Sequence, residues 1–420
     1  MDKLRLILKD RDLRKKILFV LFVLALFRVG ADIPIPGVDQ ERLASFFAGN
    51  QFFGLLNIFS GGALDNMSIM MLGVGPYITA SIIMQLLTMI FPRLKEIYHE
   101  EGEAGRQKFN QYSRYLTVPL AVLQGFGLLT FLGQQGILGE LSFFDRMTNI
   151  IIITAGSVLL MWLGELISEY GIGNGVSILI FAGIVSGLPQ ALGQTLFAID
   201  VSQLPVVIAF VIATVAIIAA VVVITEGQRP ISVSYARRVR GAKMYGGVST
   251  YLPLRVNQAG VIPIIFALSI LLFPQMILNF LSGFSSPAVQ SLVGALLVFF
   301  NSPWIYASIY FLLVFLFTYF YTAVTFDPEA IATNLQKSGA FIPGIRPGNP
   351  TAEFLYKILN RITLIGAVFL GVIAVLPLVM RAATGLVTLT IGGTALLIVV
   401  SVVLETVKQV EAQIVMRSYE

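Results

Sequence analysis

The residue types that perform catalysis are scarce in this sequence, and their spacing fits no catalytic arrangement. The chain contains no cysteine and one histidine, His99. Thiol chemistry, cysteine-ligated metals, a histidine base and the H-E-x-x-H zinc motif are therefore excluded. An aspartyl intramembrane protease needs two membrane-embedded Asp residues, and no Asp falls within a predicted span. We expect no catalytic residue, no metal site and no cofactor.

An energy source within the chain is also excluded. The glycine-rich stretch Gly171-Ile172-Gly173-Asn174-Gly175 has no strand before it, so it is a poor candidate for a nucleotide-binding loop. Ion-coupled carriers place ionisable residues inside the membrane. Here Glu165 and Glu405 lie only near predicted cytoplasmic helix ends, which disfavours coupled transport and is compatible with a passive conduit.

The loop 226–256 is long and carries a dense cluster of basic side chains. Its tip carries four of them: Arg237, Arg238, Arg240 and Lys243. The preceding residues, 231–235, alternate as a β-strand does. A second long loop, 324–360, contains two Pro-Gly steps, which indicate a shaped loop. We interpret the two loops as docking surfaces for a cytoplasmic partner; the alternative is that they only enforce topology.

Membrane-spanning helices must position these residues. Hydrophobic residues make up 56% of the chain and charged residues 12%, about half the charged share of a soluble domain. Apolar segments suited to cross a hydrocarbon core of ~30 Å occur at ten places. They are 16–33, 68–91, 115–133, 148–168, 175–193, 204–225, 257–282, 303–323, 361–380 and 388–406.

The basic residues predict the orientation. The 28 Lys and Arg residues concentrate in alternate connections: 1–15, 92–114, 169–174, 226–256, 324–360 and 407–420. Arg42, Arg146 and Arg381 lie in the opposite loops, and Arg28 lies near the outer end of the first span. Under the positive-inside rule, both termini are cytoplasmic.

The spans divide into two halves, 1–200 and 201–420, of five helices each. An odd number per half means that the halves enter the membrane from opposite faces, as inverted repeats do. The predicted fold class is therefore an all-α polytopic membrane protein with two inverted five-helix halves around a central pore.

Residues 50–76 break the pattern, because their first part is apolar but too short and too rich in glycine to span. They predict a short re-entrant helix that enters from the outside and does not cross. Irregular backbone at membrane depth is tolerated only inside protein or beside water, so this segment implies a cavity open to the outside. The alternative is an interfacial helix on the surface.

Eight motifs follow one another along the chain. They are Ile33-Pro34-Ile35-Pro36-Gly37, Phe59-Ser60-Gly61-Gly62-Ala63-Leu64, Pro76-Tyr77-Ile78-Thr79-Ala80-Ser81 through Leu87, Glu101-Gly102-Glu103-Ala104-Gly105-Arg106, Gly171 through Ile178, Leu252-Pro253-Leu254-Arg255-Val256-Asn257, Lys337-Ser338-Gly339 through Gly348, and Gly392-Gly393-Thr394. Together with the span pattern they resemble the SecY family of protein-conducting channels over nearly the whole chain. The resemblance implies a clamshell of two halves around an hourglass pore.

The resemblance also implies a ring of aliphatic side chains that closes the pore at mid-membrane. Its members are Val74, Ile78, Val176, Ile180, Ile265 and Ile398. The spacing agrees, because residues four apart share a helix face and the first four residues form two such pairs. A ring without hydrogen-bond partners for water gates by dewetting. Ordinary apolar packing is the alternative for any single member.

The segment at about 53–67 corresponds to the family's plug, which blocks the outer funnel. Its central residues are Phe59, Ser60, Gly61, Gly62, Ala63 and Leu64. The second, third, seventh and eighth spans border a lateral gate, whose polar residues are Thr79, Ser81, Gln85 and Asn257. Interhelical hydrogen bonds in lipid are worth about 0.6–2 kcal/mol, so an apolar signal helix can displace them. The alternative is static helix–helix contact.

The partners are implied in the same way. The two basic loops match the docking sites for the ribosome and the SecA motor ATPase, and the implied docking residues are Arg237, Arg238, Arg240, Lys243, Arg255 and Arg346. Arginine suits both carboxylate and phosphate partners. The small membrane subunits SecE and SecG, signal peptides, translocating polypeptides and membrane lipids complete the set.

The function that follows is a passive, gated channel in the bacterial plasma membrane. It passes unfolded secretory polypeptides and releases transmembrane helices sideways, with energy from a partner. The competing class is a secondary transporter for a small solute built on inverted repeats. Buried charges or a midplane ligand site would favour that class, and the sequence offers neither.

Overall fold

The structure, a computed structural model, is mostly helical. It describes residues 10–36, 60, 62–64, 66–99, 101–134, 136–139, 142–198, 204–235, 238–240, 243–245, 249–281, 290–291, 293–296, 299, 302–384 and 393–418. The elements are α1 (Arg11–Ala31), α2 (Gly75–Ile90), α3 (Pro92–His99), α4 (Gly102–Gln134), α5 (Phe143–Tyr170), α6 (Gly175–Ala198), α7 (Leu204–Glu226), β1 (Gln228–Tyr235), β2 (Arg238–Arg240), β3 (Lys243–Tyr245), β4 (Ser249–Arg255), α8 (Ile262–Leu281), α9 (Pro303–Thr325), α10 (Pro328–Lys337), β5 (Ala340–Phe341), α11 (Asn349–Thr384) and α12 (Gly393–Ser418).

A helix coincides at least in part with each predicted span, but the count of ten crossings remains a prediction. Among the described residues, four helices are long and apolar enough to cross a membrane by themselves, or five if the bent pair α2–α3 is one span. Those four lie within Gly102–Gly133, Phe143–Tyr170, Pro303–Lys337 and Asn349–Leu376. The parts of α6, α7 and α8 whose side chains are continuously described, Gly175–Gly187, Val211–Glu226 and Ile262–Leu271, are also apolar.

The second predicted span begins later than its hydropathy suggests. Residues 66–74 form consecutive turns, and α2 starts only at Gly75. Gly73 has φ +59°, a conformation that glycine adopts without steric penalty. Pro76 lies in the first turn of α2, where a missing N–H needs no partner. These two residues set the break.

The turns before α2 are tied to the chain that follows α1. Pro34 and Ser68 form an antiparallel bridge. The Ile35 N–H donates to the Met67 carbonyl at 2.9 Å, and the Ile69 N–H donates to the Ile33 carbonyl at 2.9 Å. The Ile-Pro-Ile-Pro motif therefore acts as a short strand.

A buried cluster lies beneath this bridge. It combines residues from the turns, the end of α4 and the start of α5: Ile35, Leu64, Met67, Met71, Leu72, Leu128, Leu129, Leu132, Ile137, Leu138, Ile150 and Ile153. Van der Waals packing between these buried side chains fixes the turns. The Asn149 amide adds a hydrogen bond to the Pro36 carbonyl at 3.3 Å.

The two long basic loops combine in one small sheet. The strand order is β4-β1-β5, and both pairings are antiparallel. The alternation predicted at 231–235 is confirmed, because Ile231 and Val233 are buried and Ser232 is exposed. The inner face packs on α10 and the first part of α11, in a cluster of Ile231, Val233, Leu254, Ala340, Ile342, Leu355, Ile358 and Ile362.

The described strands of the first loop form two antiparallel pairs, β1 with β4 and β2 with β3. Ser234 pairs with Ser249, and Arg238 pairs with Tyr245. Each strand advances four residues between these two pairs, so β2 and β3 continue the register of β1 and β4. The innermost described pair is Arg240 with Lys243.

The chain divides into two compact units. The first contains residues 1–204, 268–305 and 402–420, and the second contains 205–267 and 306–401. The sheet and its helices belong to the second unit. The predicted division into halves at residue 200 stays a prediction.

Candidate functional site

Val74 and Ile78 lie at the start of α2. Val74 is the N-cap of the helix, and its carbonyl accepts a hydrogen bond from the Ile78 N–H at 3.0 Å. Both side chains are buried, at 3% and 6% exposure. The pair therefore sits directly beside the break that Gly73 and Pro76 create.

Val176 and Ile180 occupy the equivalent place at the start of α6. Asn174 caps this helix, since its side-chain oxygen accepts from the Ser177 N–H at 3.1 Å. Such a cap is worth about 1 kcal/mol. Gly173 has φ +89° and turns the chain into the helix. The glycine-rich stretch is thus a helix-start motif, and the element directly before it is the helix α5.

Two glycines bring α5 and α6 together and thereby position this second pair. A Cβ added at Gly175 would overlap the Gly164 carbonyl oxygen, so no side chain fits there. The Ser168 hydroxyl accepts from the Gly175 N–H at 2.9 Å and donates to the Gly164 carbonyl at 3.0 Å. Small residues allow such close helix approach in membranes. The sequence reasoning missed Gly164 and Ser168, although their spacing of four is a known contact pattern.

Ile265 and Ile398 belong to the second unit, and each lies near the start of its helix. Ile265 is 5% exposed in α8, and Ile398 is 1% exposed in α12. The neighbouring Phe266 packs edge-on against two aromatic rings of α9, those of Phe317 and Tyr321, at centroid distances of 5.9 and 6.0 Å. The start of α8 is therefore fixed by aromatic contacts. The structure assigns four ring members to one unit and two to the other, and a single closed ring remains a prediction.

The predicted gate residues differ in their hydrogen bonds. The Thr79 hydroxyl donates to the Gly75 carbonyl of its own helix at 3.0 Å, and Ser81 is half-buried on the same helix. Asn257 donates to the Gly260 carbonyl at 3.1 Å. Within the described part of the chain, the side-chain oxygens of Gln85 and Asn257 are buried without a hydrogen-bond partner. A buried acceptor without a hydrogen-bond partner lowers the stability of the fold by about 1–3 kcal/mol. The side-chain oxygens of these two residues are therefore available to accept a hydrogen bond.

The plug prediction falls partly outside the described residues, which include neither Phe59 nor Gly61. Ser60, Ala63 and Leu64 are buried. The Leu64 N–H donates to the Ser60 hydroxyl at 3.1 Å, and the Ser68 N–H donates to the Ala63 carbonyl at 2.9 Å. A plug helix is therefore neither seen nor contradicted, and the described part of this stretch is a buried turn.

The predicted docking residues lie on or near the sheet. Arg255 ends β4, opposite Gln228, and its side chain is exposed. Arg346 is exposed in the turn after β5, where its carbonyl accepts from the Thr351 hydroxyl at 2.8 Å. Arg238, Arg240 and Lys243 form the end of the hairpin, while Arg237 lies outside the described residues. The two loops predicted as docking surfaces thus meet in one sheet.

One ion pair was missed by the sequence reasoning, which treated Glu165 as a solvated helix end. The Arg114 guanidinium contacts the Glu165 carboxylate at 2.7 Å, and the Glu165 side chain is only 18% exposed. The pair joins α4 to α5. Since the two residues are 51 positions apart, no local pattern could have indicated it.

This fold is known among membrane channels. A solved structure described as a protein-conducting channel has a TM-score of 0.62 and 20% identity, and the match covers 94% of this chain and 91% of that one. Sec61 in a canine ribosome–channel complex has a TM-score of 0.59 at the same identity and coverage. The chain therefore has the helical fold of the SecY and Sec61 channels.

Sequence relationships are much closer. A profile described as SecY matches residues 68–407. The protein translocase subunit SecY of Streptomyces galbus is 48% identical, over 97% of this chain and 96% of that protein. The subunit of the same name from Corynebacterium glutamicum is 45% identical, over 98% and 97%. The chain belongs to the SecY family.

Proposed function

We propose that this chain is the protein-conducting subunit of a bacterial translocase. It passes unfolded secretory polypeptides across the plasma membrane and releases transmembrane helices through a lateral gate. The observation that carries the proposal is the 45–48% identity to translocase subunits over nearly the full length of both chains. The channel is passive, and its energy comes from a partner.

The seal is formed by the six aliphatic residues Val74, Ile78, Val176, Ile180, Ile265 and Ile398. The burial of five of them and the position of all six near helix starts support this assignment. Aliphatic groups exclude water without binding a passing peptide. The stretch at about 53–67 acts as the plug on the outer side.

The lateral gate uses Thr79, Ser81, Gln85 and Asn257. The buried, unpartnered oxygens of Gln85 and Asn257 support a role in which interhelical bonds are few and exchangeable. A signal helix then enters by its own hydrophobicity.

The cytoplasmic sheet and its hairpin dock the SecA motor or the ribosome. The exposed Arg255 and Arg346 and the basic hairpin end support an anionic partner surface. A solved relative of the same fold stands in a ribosome–channel complex. SecE and SecG are the small membrane partners, and both termini of the chain are cytoplasmic.

Reconstituted export tests the function. Vesicles that contain this chain, SecE, SecA and ATP are given a signal-bearing precursor, and protease-protected precursor is measured. Protection that requires both this chain and ATP is the expected result. No protection, with an intact complex and active SecA, would reject the channel and favour a small-solute transporter.

A further inference from the structure

Arg28 is a basic residue near the predicted outer end of the first span, where the positive-inside rule does not favour a basic side chain. It lies within the first predicted span, in the last turn of α1. Its side chain is 46% exposed in the structure, so burial in the protein does not account for its position. A cation in the last helical turn does gain about 0.3–1 kcal/mol from the helix dipole, but this gain needs no specific partner. Arg28 has several.

Its first partner is on α6. One guanidinium nitrogen of Arg28 donates to the Ser186 hydroxyl at 3.3 Å. The Ser186 hydroxyl itself donates to the Gly183 carbonyl at 2.8 Å. Because its proton is already engaged, Ser186 presents a lone pair to the guanidinium, and the contact links α1 to the helix that carries Val176 and Ile180.

Its second partner connects it to the buried turn before α2. The other terminal nitrogen of Arg28 contacts the Asp32 carboxylate at 3.3 Å. The same carboxylate oxygen accepts from the Asn66 amide at 3.3 Å. Asp32 thereby joins Arg28 to the stretch that ends the proposed plug.

The turn also passes directly beside the guanidinium. A Cβ added at Gly62 would lie 3.7 Å from the Arg28 nitrogen and 3.9 Å from the Ser186 hydroxyl oxygen. Gly62 has φ +81°, which favours glycine at this approach. Gly62 therefore lies against Arg28 and Ser186, and Asn66 lies against Asp32, the ion-pair partner of Arg28.

We infer that Arg28 is a positioning residue that, through Ser186 and Asp32, holds Gly62 and Asn66 in the turn before α2 against α1 and α6. The inference deepens the proposed function, because it states what holds the end of the plug stretch in the idle channel. Loss of Arg28 frees the turn, and the outer seal then opens more often.

A thiol reporter tests the contact without relying on transport. The chain has no cysteine, and Ala63 is 0% exposed, so Ala63→Cys gives one buried thiol. In the reconstituted complex it should react slowly with an impermeant maleimide added from the outer side. Adding Arg28→Leu should raise the rate about tenfold, which corresponds to about 1.4 kcal/mol of local opening. Arg146→Leu, a charge loss predicted on the same side, should leave the rate unchanged.

Two further variants guard against misfolding of Arg28→Leu. Arg28→Lys keeps the charge but cannot reach two partners with a planar fork, and it should give an intermediate rate. Ser186→Ala removes only the α6 contact and should raise the rate less than Arg28→Leu does. Parental reaction rates in all three variants would overturn the inference.

Ion leak through the same vesicles separates this inference from the proposed function. Faster labelling with increased leak supports both the role of Arg28 in holding the turn and the assignment of the stretch at about 53–67 as the plug. Faster labelling with parental leak supports the role of Arg28 in holding the turn and removes the plug assignment.

Discussion

At the level of single residues, the seal depends on side chains that offer water no hydrogen bond. Ile398 is 1% exposed, and Ile398→Asn places an amide at its position. We expect hydration of the constriction, an ion leak about tenfold or more above parent, and export of precursors with defective signals. Leak in reconstituted vesicles and export of a signal-defective precursor measure the two effects.

Ile398→Leu is the matched control, since it changes shape without polarity and should keep the leak low. If Ile398→Asn shows parental leak and parental signal stringency, Ile398 does not belong to the ring.

Docking is also decided by individual residues. Arg346 is exposed beside the sheet, and Arg346→Glu reverses its charge without disturbing a buried contact. Like charges across an interface cost several kcal/mol, so SecA-driven export should fall about tenfold while complex assembly is unchanged. Initial export rates and co-purification of SecE measure these outcomes. Lys337→Glu, an equally exposed reversal in the last turn of α10, is the control; equal losses in both variants would indicate a general charge effect.

At the level of elements, the crossing of α5 and α6 is what holds Val176 and Ile180 in place. Gly175→Ala would force the two helices apart, and overpacking of this kind costs about 1–3 kcal/mol or more. We expect a lower unfolding temperature and increased ion leak. Gly187→Ala in the same helix is the control, because a Cβ there meets no atom within 4 Å. A stable, tightly sealed Gly175→Ala channel would show that the crossing can relax.

The cytoplasmic sheet should respond as one element. Leu355 on α11 is 0% exposed and lies in the core under the sheet. Leu355→Ala should destabilise it by about 2–5 kcal/mol. Because β1 pairs with both β4 and β5, limited proteolysis should then cut both basic loops faster. Tyr356→Ala, at a side chain 62% exposed, should leave the cleavage unchanged; cleavage of only one loop in Leu355→Ala would contradict a shared core.

Local sequence patterns predicted the helices and strand β1. Contacts between residues far apart in the sequence could not be predicted from those patterns. Hydropathy located the helices to within a few residues in most cases, and the alternation at 231–235 located β1. The start of α2 was wrong by several residues, because hydropathy cannot separate an apolar turn such as 66–74 from a helix. The pairing of β1 with β5 and the close packing of Gly164 against Gly175 arise only when the folded chain brings these segments together, so local patterns do not indicate them.

At the level of the whole molecule, pairing between distant segments constrains the path through the membrane. β5 pairs with β1, so residues 235 and 340 lie in the same aqueous compartment. An even number of crossings must separate them, in agreement with the two spans predicted at 257–282 and 303–323. The bridge between Pro34 and Ser68 likewise places these two residues on one side.

Three serine-to-cysteine variants test the full path. Ser142, Ser232 and Ser338 are all exposed, and the absence of native cysteine makes each thiol unique. Three predicted spans separate Ser142 from Ser232, and two separate Ser232 from Ser338. An impermeant maleimide should therefore label the cysteines at 232 and 338 from the cytoplasmic side and the one at 142 only from the other side.

The two comparisons answer different questions. Labelling of 232 and 338 from opposite sides would contradict the sheet itself, because β1 and β5 could not then pair. Labelling of 142 and 232 from the same side would leave the sheet intact and reduce the crossings between them to an even number. One of α5, α6 and α7, or all three, would then fail to cross the membrane.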